Sequence, residues 1–341
     1  MKIYKVSLIS LIIIAVGLNA NSQWEKQSPL PTESTIYDVC FVNDQQGWIV
    51  GDHGEIYRTN DNGNNWERKS IPGINQEVIG CSFISSEVGW VVINYSDVVY
   101  YTSNGGESWV PQPTNTGAQQ ISDIYFADEL NGWACGLSGL IIHTSNGGSD
   151  WVVQLPPENY NLASIYFISQ VTGWSVGGFG GIFRTMDGGN TWIDESIGSS
   201  SLLRDVCFPD NLNGWIVGFN GEILHSSDGG STWNPQNSTI NDHIYSVVFN
   251  TNEIGCCVGE FGTILITNDG GASWNIKEPP LYAAFYSVCN YSGNFWSVGT
   301  LGTIIYSPDQ GQNWQQLTKG TTKTLYSIFS FDCEKAIAVG R

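Results

Sequence analysis

TNDNGNNW (59–66), TSNGGESW (102–109), TSNGGSDW (144–151), TMDGGNTW (185–192), SSDGGSTW (226–233), TNDGGASW (267–274) and SPDQGQNW (307–314) are seven variants of one phrase, S/T-x-D/N-x-G-x-x-W. Their closing residues Trp66, Trp109, Trp151, Trp192, Trp233, Trp274 and Trp314 stand 43, 42, 41, 41, 41 and 40 residues apart. A fixed period of this length marks a repeat architecture, and it decides the fold before any single residue is weighed.

Outward from each phrase the same grammar returns. Upstream lies an alternating apolar run (IYDVCF, ISDIYF, LASIYF, LRDVCF, IYSVVF), then a polar turn. A second run follows in which Gly-Trp leads to Val-Gly (GWIVG, GWACG, GWSVG), then a Gly-bounded turn and a third run (EIYRT, LIIHT, GIFRT, EILHS, TILIT). The phrase itself closes the third run, and a fourth begins at its Trp. Period-two alternation in short runs separated by turn residues predicts strands, and four strands per unit predict one blade of an all-β propeller. No apolar period of 3.6 residues occurs after residue 20.

Closure is expected to be composite. Gln23-Trp24-Glu25-Lys26 matches a fourth strand, while LYSIFS and KAIAVG after Trp314 match a first and a second. Eight first strands are expected, near Ile36, Val78, Ile121, Leu162, Leu203, Ile244, Phe285 and Leu325. The ring has eight blades with the last closed by the N-terminal strand and lacking a third, or the chain is a truncated reading of a longer one. The alternative is seven blades with unplaced terminal strands.

Within the phrase each residue type has a local task. The acid accepts backbone N–H groups of the turn it starts, the Gly takes a backbone conformation closed to other residues, and the Trp pins the hairpin to its blade. Asp61, Asp187, Asp228, Asp269 and Asp309 keep the acid; Asn104 and Asn146 replace it with an amide that serves the same turn. All seven are expected to be structural.

Composition sets the outer limits. Of 341 residues 13 are Lys or Arg and 32 Asp or Glu, a net charge of −19, with 41% hydrophobic residues. Such a chain folds, and it lacks the cations that general nucleic-acid binding or docking to anionic lipid needs. Lys2 and Lys5 precede an apolar run ending near Val16, shorter than a membrane span, so residues 1–20 read as a secretory signal and 21–341 as one exported domain. No membrane insertion is expected after its removal. The eight cysteines show no CxxC spacing and mostly fall inside strands, as buried thiols or as one or more disulfides. No metal and no cofactor is expected.

The series GWIVG-DHG-EIYRTNDNGNNW, GWSVGGFGGIFRTMDGGNTW and GWIVGFNGEILHSSDGGSTW resembles the photosystem II stability and assembly factor family, and more widely the Asp-box (BNR-type) propellers. The likeness spans residues 24 to 341. It implies a non-enzymatic scaffold that holds a protein during assembly, in a family whose best-known members have seven blades. Some members are described as using a basic surface patch; here the arginines are Arg58, Arg68, Arg184, Arg204 and Arg341.

Two enzymatic readings compete with that scaffold. Sialidases with this box use three converging arginines, and here only Arg204 lies on a first strand. Glucan hydrolases use paired acids. Asp38, Asp123 and Asp205 share the third position of first strands, but Ser164, Ser246, Ser287 and Ser327 occupy it elsewhere, the pattern of a polar residue bonding between blades. His143 and His225 share a third-strand position with Arg58 and Arg184, as half-exposed residues. A cell-surface adhesive module is a further alternative.

The turns between second and third strands carry the strongest binding signal. They share a face with the loops linking blades, and their non-glycine residues include His53, Phe179, Phe219, Phe261 and Leu301, with Tyr95 in the irregular second unit. These six are the candidate contacts for a protein or peptide partner of an expected monomer, because apolar turn tips are unfavourable unless covered. The competing reading has each Phe folded back over its own blade.

Overall fold

The computed structural model describes residues 12–16, 23–26 and 34–341 except 44, 62, 118, 155, 318–320 and 331–335, with no side-chain description for the first two segments. Eight antiparallel four-stranded sheets stand around one axis. Seven are built from one continuous repeat each. In blade 1 the strands are Ile36–Phe41, Gly47–Gly51, Ile56–Thr59 and Glu67–Arg68. The first strands of the later blades are Val78–Phe83, Ile121–Phe126, Leu162–Phe167, Leu203–Cys207, Ile244–Phe249, Phe285–Tyr291 and Leu325–Ser330. Each contacts the first strand of the next blade, and Leu325–Ser330 meets Ile36–Phe41 to close the ring.

The eighth sheet differs from expectation in one strand. Its outer strand is Gln23–Lys26, as read, but the third position is filled by Ile12–Val16, which pairs with Ala336–Gly340 (Ile12 opposite Val339, Ile14 opposite Ile337) and with Gln23–Lys26. Five consecutive apolar residues meet the demands of an inner strand as well as those of a leader. The rest of 1–20 lies outside the described residues. No helix among the described residues is long and apolar enough to cross a membrane.

Blades are fastened by repeated contacts. The second-strand Trp of one blade stacks on the last Phe of the next first strand: Trp48 on Phe83 at 3.7 Å between centroids, Trp90 on Phe126 at 3.4 Å, Trp133 on Phe167 at 3.8 Å, Trp174 on Phe208 at 3.8 Å and Trp215 on Phe249 at 3.6 Å. These tryptophans are fully buried. Three of them also donate Nε1–H to a box-glycine carbonyl in the next blade: Trp48 to Gly105 (3.2 Å), Trp90 to Gly147 (3.2 Å) and Trp133 to Gly188 (3.0 Å). The box therefore serves its own hairpin and its neighbour at once.

Within each box the hydroxyl is the hub. Thr185 Oγ1 donates to Asp187 Oδ1 (2.9 Å) and accepts from the Gly189 amide (2.7 Å), while Asp187 Oδ1 also accepts from the Thr191 amide (2.9 Å). Asn104 accepts from the Ser108 amide in the same way (3.0 Å), and Asn146 from Asp150 (2.9 Å). Asp61, Asp228, Asp269 and Asp309 repeat the acid's pattern.

Candidate functional site

In six blades the second-to-third turn is a three-residue 3-10 turn whose middle residue has a left-handed backbone: His53 (φ 57°), Ser138 (57°), Phe179 (53°), Asn220 (57°), Phe261 (54°) and Leu301 (57°); Tyr95 (52°) has it in the irregular turn of blade 2. The turns are held rigidly. In blade 1 the Asp52 amide donates to Thr35 O (2.8 Å), ahead of its own first strand, and the Gly54 amide to Gln76 O (2.8 Å), in the linker to blade 2. Gly139 with Tyr160 and Gly180 with Ser201 repeat the second bond. Turns and blade links thus form one continuous face.

On that face Phe179 is 70% exposed, Tyr95 66%, Phe261 65% and Leu301 58%, and His53 is exposed as well. Phe219 stands apart from them. It is the first residue of its turn, half-buried, and stacks on His243 of the next blade at 3.9 Å; Asn220 takes the tip, its amide donating to His243 Nδ1 (3.2 Å). Blade 4 has Gly178 at the first position and Phe179 at the tip, so the Gly-Phe pairs of the two blades occupy different registers of the same turn.

The first-strand acids act between blades. Asp38 accepts from the Cys81 amide (3.2 Å), Asp123 from the Ile165 amide (3.0 Å) and Ser164 Oγ (3.3 Å), and Asp205 from the Val247 amide (3.0 Å). Each of the three residues is half-buried, strands of two blades enclose its carboxylate, and burial raises all three pKa values. For Asp123, the other two acids add to the effect of burial, which carries it to about 7. His143 and His225 are half-buried, stacked on Trp133 (4.8 Å) and Trp215 (4.6 Å), and burial lowers both pKa values. No cluster of three or more metal-ligating side chains occurs among the described residues.

One sector of the ring departs from the repeat. Between blades 6 and 7 the Trp–Phe pair is replaced by Cys256 and Asn290, between 7 and 8 Ser330 stands in the Phe position, and at 8/1 Phe41 meets Phe329 (5.4 Å) across from Ile337. A cavity of about 560 Å³ opens there, lined by Phe41, Val248, Cys289, Asn290, Phe329 and Ser330 among others. The same four blades carry tyrosine at the second position of the first strand: Tyr245, Tyr286, Tyr326 and Tyr37. Sequence reasoning passed over this series, although IYSV, FYSV, LYSI and IYDV display it against LRDV, LASI and ISDI.

A family model described as photosynthesis system II assembly factor YCF48 matches residues 17–116, 112–197 and 194–278. The chain belongs to this family. No relative matches among curated proteins. Of solved structures, YCF48 bound to D1 peptide is 18% identical, with 91% of this chain and 94% of that one covered and a TM-score of 0.64. YCF48 from Cyanidioschyzon merolae is 20% identical over 80% and 94% of the two chains, at 0.62. The computationally designed Ika8 protein is 14% identical over 90% and 96%, at 0.73. The propeller is common to all three.

Proposed function

We propose that this YCF48-family propeller is an exported, non-enzymatic scaffold that holds a protein or peptide partner on its turn face and acts as a monomer. The observation that carries the reading is the doubly unfavourable state of Phe179, Phe261 and Leu301. A bulky side chain in the left-handed region is strained by about 1–3 kcal/mol, and large apolar groups at 58–70% exposure recover little burial in the isolated chain, Phe179 keeping a tilted contact with the Tyr160 ring at 5.6 Å between centroids. A partner that covers them turns both liabilities into binding energy, as buried aromatic anchors do at interfaces. That one relative was solved with a D1 peptide supports a peptide as the kind of ligand. The first-strand acids support the non-enzymatic side, since Asp38, Asp123 and Asp205 each clasp a neighbouring blade.

Site-specific photocrosslinking in the native exporting cell tests the proposal. A benzophenone side chain placed at 179 or 261 is expected to yield a discrete protein adduct, and one at Val171, an exposed residue in the first-to-second-strand turn on the opposite face, is not. Adducts at Val171 alone, or none at either turn tip, would overturn it.

A further inference from the structure

The channel mouth on the turn face carries a feature that no turn tip explains. In every blade the first strand skips register after its first residue, as between Ile36 and Asp38 or Ile244 and Ser246, so its second residue is a β-bulge. Bulges re-aim the residue they insert. In blades 2 to 5 that residue is Ile79, Ser122, Ala163 and Arg204; in blades 6, 7, 8 and 1 it is Tyr245, Tyr286, Tyr326 and Tyr37. The four tyrosines form a continuous arc, with centroids 5.4, 5.8 and 6.4 Å apart in that order, and all four keep part of their surface open. Half the mouth is therefore aromatic and the other half is not.

Acids stand at both ends of the arc. Tyr37 Oη donates to Asp52 Oδ1 (2.7 Å), and beside it opens a cleft lined by Asp52, Glu77, Asn94 and Tyr95. Burial, with Asp52 and Glu77, holds the Tyr37 phenol well above its usual range; at Tyr245 burial and Glu260 act in the same direction. The Tyr37 and Tyr245 hydroxyls thus keep their protons, and the ring faces are the electron-rich surfaces of neutral phenols. Three basic side chains elsewhere are already committed, Arg58 to Glu87, Arg184 to Glu195 and Lys69 to Glu67 and Glu107, within a chain of net charge −19.

From this geometry we infer that the tyrosine arc is a binding site for an extended peptide segment carrying Lys or Arg, whose cations lie over the ring faces and are received by the Asp52–Glu77 cleft. Cations bind the faces of aromatic rings, and neighbouring carboxylates add charge complementarity. Arg204, next in the ring beyond Tyr245, repels a cation and sets that end of the site. The inference rests on the scaffold reading and names the chemistry of its ligand.

Fluorescence anisotropy on the full chain tests it, with a labelled decapeptide carrying three lysines among glycine and leucine, and a counterpart with glutamate for lysine. The lysine peptide should bind and the glutamate peptide should not. Tyr286→Ser with Tyr326→Ser, a residue the fold already accepts at Ser122, should weaken binding about tenfold or more; Tyr286→Phe should retain it. Asp52→Asn with Glu77→Gln should weaken binding and flatten its salt dependence. Equal binding by the serine variant assigns the attraction to the acidic surface at large and overturns the arc, as does failure to bind. Neither result touches the crosslinks at positions 179 and 261, so the two readings fail separately.

A different observation carries a second site. Cys40 and Cys81, on first strands of adjacent blades, bring their Sγ atoms to 2.8 Å, far inside ordinary sulfur contact, with Asp38 Oδ2 3.6 Å from Cys81 Sγ. We infer that these two thiols are an inter-blade disulfide site. A protein disulfide acting as oxidant takes two electrons and two protons from the pair, forming the S–S bond and leaving the oxidant as a dithiol. Chain secreted into an oxidising compartment should be about 2 Da lighter than the reduced form and yield a Cys40–Cys81 linked peptide that Cys81→Ala abolishes. Quantitative alkylation of both thiols in denatured, unreduced protein would overturn the assignment.

Discussion

At the residue scale the same side-chain type does opposite things according to where the repeat puts it. The box acids Asp187 and Asp269 are exposed and surrounded by donors, and both are held below the usual carboxylate range mainly by bonds from Thr191 and Ser273. Their stabilising effect is full above the unfolded value near pH 3.9 and is lost as pH falls through the lowered pKa. Asp123 is enclosed, and burial raises it to about 7. The folded state then holds its proton more tightly than the unfolded one, so that contribution is full below about pH 3.9 and lost as pH rises through about 7. Thermal melts across this range should show stability falling from mildly acidic to neutral pH, with the slope reduced in Asp123→Asn, whose amide oxygen still accepts from Ile165. An unchanged slope would count against the assignment. In the box, Thr185→Val removes a donor to Asp187 and the acceptor of the Gly189 amide, and should cost about 1–3 kcal/mol by chemical denaturation.

Among elements, the strongest statement concerns the seams. Trp133 stacks on Phe167 and donates to Gly188 in the next blade, so Trp133→Ala should destabilise by about 3–5 kcal/mol. Asn290→Ala, in the sector where the pair is absent, should cost far less, since it loses mainly its bond to Phe249 O (3.2 Å). A similar loss for both would mean the Trp–Phe seam is not what joins the blades. This is also the scale at which the sequence was most legible. The 40-to-43-residue period and the Gly-Trp and box signatures placed every first strand where the structure has it. Candidate contacts were legible only in part, because turn composition does not reveal register: GFG and FNG look alike, yet the left-handed position falls on Phe179 in one and Asn220 in the other. The tyrosine arc was hidden for another reason. An alternating apolar strand accepts Tyr at any outward position, and only the bulge, which depends on pairing with the second strand, separates that position from the rest.

For the whole molecule, the ring closes through an eighth sheet assembled from both ends of the chain, and Ile12–Val16 is its third strand. These residues also form the apolar core of the segment read as a leader. Chain 21–341 should therefore melt several degrees below chain 1–341 and lose hydrogen-exchange protection in Ala336–Gly340, while blades 2 to 5 remain protected. Equal protection in both chains would show that the strand adds nothing to closure.

The central claim is that strain and exposure at the turn tips serve recognition. Its most direct measurement pairs stability with partner affinity in Phe179→Asn, Phe261→Asn, Leu301→Asn, a variant placing at three tips the residue that blade 5 already has at Asn220. Asn tolerates the left-handed conformation, so the account predicts a melting temperature equal to or above that of the parent chain, together with at least about tenfold weaker binding of the partner identified by crosslinking. Full affinity in a stably folded variant would contradict it.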